Sequence, residues 1–196
     1  MKDEHRNIDR AAEDCGPITR ADLKVVQAAD AIADVGVVKA IGKASELADQ
    51  PPMIAASLAT LFAGLGTGRP KLARTGLRML ASHALATGLK TLVKDRIDRP
   101  RPSKVADEGE HEVEKGSSKD GDDRSLPSGH SAGATAVARA IVREYPGAAP
   151  AAYAASGLAM LVQAPRKAHF PSDILVGFVM GFAAEAIVCL VLRPPR

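Results

Sequence analysis

The sequence predicts an all-α protein, a six-helix transmembrane bundle with an active site at one membrane face. Three observations predict it. Charge is segregated: of the 49 charged side chains, residues 1–50 carry 17 and residues 94–126 carry 18, leaving 14 for the other 113 residues. Between these blocks lie quiet apolar runs. Residues 51–66 and 146–165 contain no charge, 174–192 contain only Glu185, and 72–93 contain only Arg74, Arg78 and Lys90. Such runs approach the ~20 residues that cross a hydrocarbon core, and their Ala and Gly suit close helix packing. Finally, no hairpin-type alternation and no internal repeat is present. The competing architecture is a soluble helical bundle with buried central helices, which the absence of Trp at the interfaces favours.

Each element follows from a charge or proline boundary. Helices are expected over residues 20–48, 51–66, 70–95, 128–144, 148–164 and 171–192. The first is amphipathic and the weakest span, carrying Asp30, Asp34, Lys39 and Lys43. Residues 1–19 read as a polar tail, 20–192 as a single domain and 193–196 as a second tail. Residues 103–124 hold eight acids against four bases, a composition that cannot bury a core and reads as a disorder-type loop. His111 within it is expected to be solvated.

Composition excludes several classes. A length of 196 residues is one domain's worth. With no Trp, two Tyr and four Phe there is no aromatic platform for single strands, so no nucleic-acid partner is expected. Cys15 and Cys189 form neither a disulfide scaffold nor a zinc pattern, and both are expected on the cytoplasmic side, reduced. The first 20 residues lack the apolar region of a cleavable signal. A mean hydropathy of −0.03 resembles a soluble protein only because it averages dense and quiet segments.

Three clusters carry chemistry. Lys94–Pro102 (KDRIDRPRP) ends the third helix, Pro127–His130 (PSGH) opens the fourth, and Arg166–Asp173 (RKAHFPSD) joins the fifth to the sixth. Counting spans brings all three to one face. Ser128 is a natural N-cap whose following amides are free for an anion. Lys94 and Arg101 add cations for phosphoryl oxygens. His169 and Asp173 have the spacing of a base and its orienting carboxylate, and two histidines beside an anion site suit a nucleophile and a general acid. Singly, each cluster also reads blandly: a basic membrane flank, a helix cap, and a helix-start acid beside an interface histidine. His83 reads as a packing residue and Glu185 as an interhelical polar contact.

Together these motifs resemble the type 2 phosphatidic acid phosphatase superfamily, whose pattern is K-x₆-R-P, then P-S-G-H, then S-R-x₅-H-x₃-D. Lys94 and Arg101-Pro102 fit the first motif, Pro127–His130 the second, and His169 and Asp173 the end of the third. The resemblance spans residues 20–192. It implies a phosphatase with no metal and no cofactor, with His169 as nucleophile, Asp173 orienting it and His130 as the acid. Lys94, Arg101, Ser128 and the Gly129 amide would hold the phosphate. One departure stands out, because the family's Ser-Arg pair falls on Val162-Gln163. Arg166, about one turn on, is the candidate replacement, with Lys167 next.

The expected activity is therefore hydrolysis of a lipid phosphate monoester or diphosphate through a phosphohistidine. The motifs read phosphate and not the tail, leaving phosphatidic acid, phosphatidylglycerophosphate and polyprenyl diphosphate as substrates. A catalytically weak membrane binding or scaffold protein of the same fold is the alternative that Gln163 motivates. The expected location is a bacterial inner membrane, N-terminus inside and active site outward. That would put Arg69, Lys71, Arg74, Arg143, Arg193 and Arg196 inside, in line with the positive-inside tendency, although Arg96, Arg99 and the loop bases fall outside.

Overall fold

The computed structural model describes residues 2–13, 15–109, 111–116 and 118–192; the expected tail at 193–196 lies outside them. Among the described residues there are nine α-helices and no strand: α1 Lys2–Glu13, α2 Pro17–Asp30, α3 Gly36–Ser45, α4 Gln50–Gly66, α5 Pro70–Lys94, α6 Pro102–Glu108, α7 Gly129–Glu144, α8 Ala149–Leu161 and α9 Pro171–Val191. Proline in the first turn starts six of them (α2, α4, α5, α6, α8 and α9), where its missing N–H is an orphan anyway.

Helix α7 is the centre of the bundle, packing on α5, α8 and α9. Its Ala132, Ala134, Ala136, Ala138 and Ala140 are all buried, as expected of a helix enclosed on every side. Small residues set the approach. A Cβ on Gly177 would lie 2.4 Å from the Ser128 carbonyl oxygen, and one on Gly181 would lie 2.3 Å from that of Ala132. The α7–α9 contact thus exists only because α9 presents glycine one turn apart. At the far end from the motifs, charge is paired across the bundle. Glu185 of α9 meets Arg139 and Arg143 of α7 at 2.9 and 3.1 Å, as expected of an interhelical contact. Glu144 of α7 meets Arg74 and Arg78 of α5 at 2.7 and 2.9 Å. Large apolar side chains remain exposed on the outer helices, among them Phe62 and Leu65 on α4, Leu161 on α8, and Leu175, Val179 and Phe182 on α9. Among the described residues, α9 alone is both long and apolar enough to cross a membrane by itself.

Nine helices replace the six expected, and the differences lie in the charged blocks. The helix expected at 20–48 is broken by a turn at 31–34 into α2 and α3, where Gly36 and the paired Asp30 offer little to a continuous helix. Asp30 instead binds Lys167 at 3.0 Å and His5 at 3.2 Å. At ten residues α3 is too short to span. Residues 2–13, read as tail, form α1 because Ile8 and Ala11 make a short apolar seam. That seam packs with Leu23, Val26, Val105, Ala106 and Phe170 in one buried cluster, with Cys15 against it. The charged loop contributes α6 to the same cluster, so its −4 charge hides a small apolar face at Val105-Ala106. His111 is half-buried, its ring edge-on to Phe170 at 5.4 Å between centroids. Consequently α1, α2 and Cys15 lie on the face that carries the motifs, and the N-terminus is not on the opposite side from the site.

Candidate active site

The ends of α5, α7 and α9 converge as expected, and a cavity of about 350 Å³ opens between them. Lys94, Arg101, Gly129, His130 and His169 all line it. The wall is completed by residues without a predicted role, notably Asp49, Gln50, His83 and Lys90.

Local structure fixes His169. Helix α8 ends at Leu161 and the chain folds through a turn in which the Ala168 amide donates to the Gln163 carbonyl at 3.0 Å. Lys167 takes φ 51° there, a left-handed conformation that disfavours a side chain by about 1–2 kcal/mol. Its ammonium is anchored on Asp30 at 3.0 Å and Glu4 at 3.4 Å. The His169 imidazole is buried, and its Nδ1–H donates to the Ser125 carbonyl at 2.8 Å. Nδ1 therefore carries the proton and Nε2 the lone pair. Burial, reinforced by the charges of Lys94, Arg101 and His130, holds its pKa well below that of a free imidazole. A neutral imidazole with a free Nε2 is a competent nucleophile at neutral pH.

Asp173 does not make the contact expected of it. Its Oδ1 accepts from Arg99 at 2.5 Å, and its Oδ2 accepts from Ser125 Oγ at 2.5 Å and from the Phe170 amide at 3.0 Å. The carboxylate reaches the imidazole only through Ser125, whose hydroxyl it holds while the Ser125 carbonyl holds Nδ1. Position 173 is the third residue of α9, so capping the Phe170 amide competes for the same oxygens. Arg99, which the sequence offered only as a membrane-flanking base, is buried between Asp173 and Asp22 of α2, the latter at 2.8 Å. Asp22 also accepts from the Ser172 amide at 2.9 Å and from the Ser172 hydroxyl. A buried carboxylate demands partners. Asp22 at a helical position of an amphipathic segment gave no sign of where its partner lay.

The phosphate ligands divide. Arg101 lines the cavity while its Nε donates to the Gly121 carbonyl at 2.9 Å, and Lys94 Nζ donates to the Arg124 carbonyl. The charged loop thus holds both cations of the first motif in place. Ser128 is the N-cap of α7, as expected, but its buried Oγ accepts from the Ser131 amide and hydroxyl at 3.3 and 3.0 Å. Its lone pairs serve the helix and its O–H remains a donor, while Gly129 forms the cavity wall. Arg166 does not line the cavity, although its charge reaches His130: Nη1 donates to the Gly42 carbonyl at 3.0 Å and to Ser45 Oγ at 2.9 Å, and Nη2 lies 3.6 Å from Glu46. There it shares the Gly42 carbonyl with Ser45 Oγ, which donates to the same oxygen at 2.7 Å. Gln163 is fully buried, donating to the Ala159 carbonyl at 2.8 Å. His130 has Asp49 beside it, Oδ1 3.0 Å from Nε2. Asp49 was invisible from sequence because it belongs to the turn before α4, in none of the three clusters.

Fixed cations around a neutral imidazole suit one task, the transfer of a phosphoryl group, and place the protein among the helical phosphatases. The chain belongs to the PAP2 superfamily, which matches residues 75–194. Its fold is similar to that of a transmembrane PAP2-type phosphatidylglycerolphosphate phosphatase from Bacillus subtilis, with a TM-score of 0.66 and 21% identity over 95% of this chain and 93% of that one. No curated protein matches the sequence.

Proposed function

We propose that the protein hydrolyses a lipid phosphate monoester or diphosphate, without a metal, through a phosphohistidine on His169. His169 Nε2 attacks phosphorus in line, and the bond from phosphorus to the leaving oxygen breaks. His130, beside Asp49, gives that oxygen a proton. Water then attacks the phosphohistidine, its proton returns to His130, the phosphorus–nitrogen bond breaks, and phosphate leaves. Lys94 and Arg101 stabilise the oxygens throughout by position and charge alone.

The observation that carries the lipid reading is a second cavity, about 400 Å³, that shares the wall residue Ala48 with the first. It runs between α3, α4, α7 and α8 and is walled by Ile41, Met53, Val137, Ile141 and Leu158. A polar cavity beside an apolar one fits an amphiphile, head among the cations and tail between helices. Phosphatidic acid, phosphatidylglycerophosphate and polyprenyl diphosphate all have that form, and the Bacillus subtilis enzyme of similar fold is a phosphatase of the second. The exposed apolar faces of α4, α8 and α9 support an integral membrane protein whose bundle lies in the bilayer, with α9 long enough to cross it. Arg69, Lys71 and Arg74 follow α4 at the end remote from the site. The positive-inside tendency puts that end in the cytoplasm of a bacterial cell and the site outward, together with α1 and α2.

Phosphate release from those three lipids, measured in detergent with EDTA, tests this reading. Wild type should turn over at least one lipid, and His169→Ala should lose on the order of 10³-fold or more in kcat. Turnover of none of them, or dependence on added metal, would contradict it.

A further inference from the structure

We propose that Lys90 is the phosphate-binding cation that replaces the arginine absent from position 163; the inference rests on the phosphatase reading above. Two nearer candidates are otherwise engaged. Gln163 is neutral, enclosed and committed to the Ala159 carbonyl. Arg166 is bound to the end of α3 and does not line the cavity. Lys90 does line it, with Lys94, Arg101, His130 and His169. It stands one turn before Lys94 on α5, so both ammonium groups rise from one face.

Its position is specific. A Cβ on Gly129 would lie 3.2 Å from Lys90 Cδ and 3.3 Å from Nζ, so the ammonium rests on the first turn of α7. That turn is the positive end of a 16-residue helix with free amides. The ammonium faces the helix dipole and two further cations, with Asp49 as the carboxylate on the same wall. Among the described residues no carboxylate lies within ion-pair distance of it, and its hydrogen-bond partner is the neutral Gln50 Oε1 at 3.4 Å. Asp49 offsets only part of the charge of Lys90, Lys94 and Arg101, and an anion between them and the α7 amides balances the rest, where the transferring phosphoryl group sits. Glycine at 129 is what leaves room for the lysine stem.

Orthovanadate binding, read by calorimetry on the full chain in detergent, separates the two claims. Wild type should bind it, Lys90→Met should weaken binding tenfold or more at an unchanged melting temperature, and Lys90→Arg should stay close to wild type. Arg166→Ala should leave affinity unchanged. In the lipid assay Lys90→Met should lower kcat/KM on the order of 100-fold, the loss typical of removing one transition-state donor. Wild-type affinity in Lys90→Met, or a loss in Arg166→Ala of the same size, would overturn the role of Lys90. Failure of wild type itself to bind vanadate or turn over any lipid would instead remove the reading on which it rests.

Discussion

His169 owes its neutral, Nδ1-protonated form to two influences acting differently. The Ser125 carbonyl can only accept, so it fixes the proton on Nδ1 and leaves Nε2 bare. Burial and the surrounding cations then penalise the imidazolium. The sign is plain: a lowered pKa means that the free base persists as pH falls through 6.5, and nucleophilicity is lost only well below it. ¹⁵N resonances of His169 should show a protonated Nδ1 and an unprotonated Nε2 at pH 6, where a free imidazole is already largely protonated. Imidazolium shifts for His169 at pH 6 would refute this placement. Asp173 contributes one step removed, by holding the Ser125 hydroxyl while Arg99 neutralises it. It is a positioning residue here.

At the scale of elements, the site depends on how closely α9 lies on α7. Alanine for glycine inside a helix ordinarily gains about 0.5–1 kcal/mol. At Gly181 that gain meets a Cβ 2.3 Å from the Ala132 carbonyl oxygen, a contact that must be relieved by moving a helix, and overpacking of this kind costs about 1–3 kcal/mol. The clash wins. Gly181→Ala should lower the thermal midpoint by several degrees, while Gly88→Ala on α5, with nothing within 4 Å, should hold or raise it. Equal midpoints for the two variants would mean that the helices are not in this contact. The same approach explains why α7 is built of alanine: a larger side chain at 132 or 136 would push α5 and α9 away from the turns that carry Lys94 and His169.

For the whole molecule, the quiet segments were legible because apolar runs of helical length have few alternatives, and α4, α5, α7, α8 and α9 appear close to their expected bounds. The three motif clusters met at one cavity for the same reason, since alternating helices must return their ends to a common face. What the sequence concealed lies in its charged blocks. Two apolar residues in α1 and two in α6 suffice to dock both against Phe170, too few to register as periodicity in so polar a stretch. Asp22, Asp49 and Arg99 find their partners 77, 81 and 74 residues away along the chain, at Arg99, His130 and Asp173, and no local spacing announces such pairs. Gln163 pointed to a missing cation but gave no direction: Arg166 is held at the end of α3, whereas Lys90 lines the cavity. The N-terminal helices then fall on the site's own face, and the outward orientation rests on the basic turn after α4.

Trapping the intermediate tests the central claim most directly. Wild type quenched during turnover of ³²P-labelled lipid phosphate should carry acid-labile, alkali-stable label on His169, with none in His169→Ala. Label on another residue, or full turnover by His169→Ala, would contradict the account.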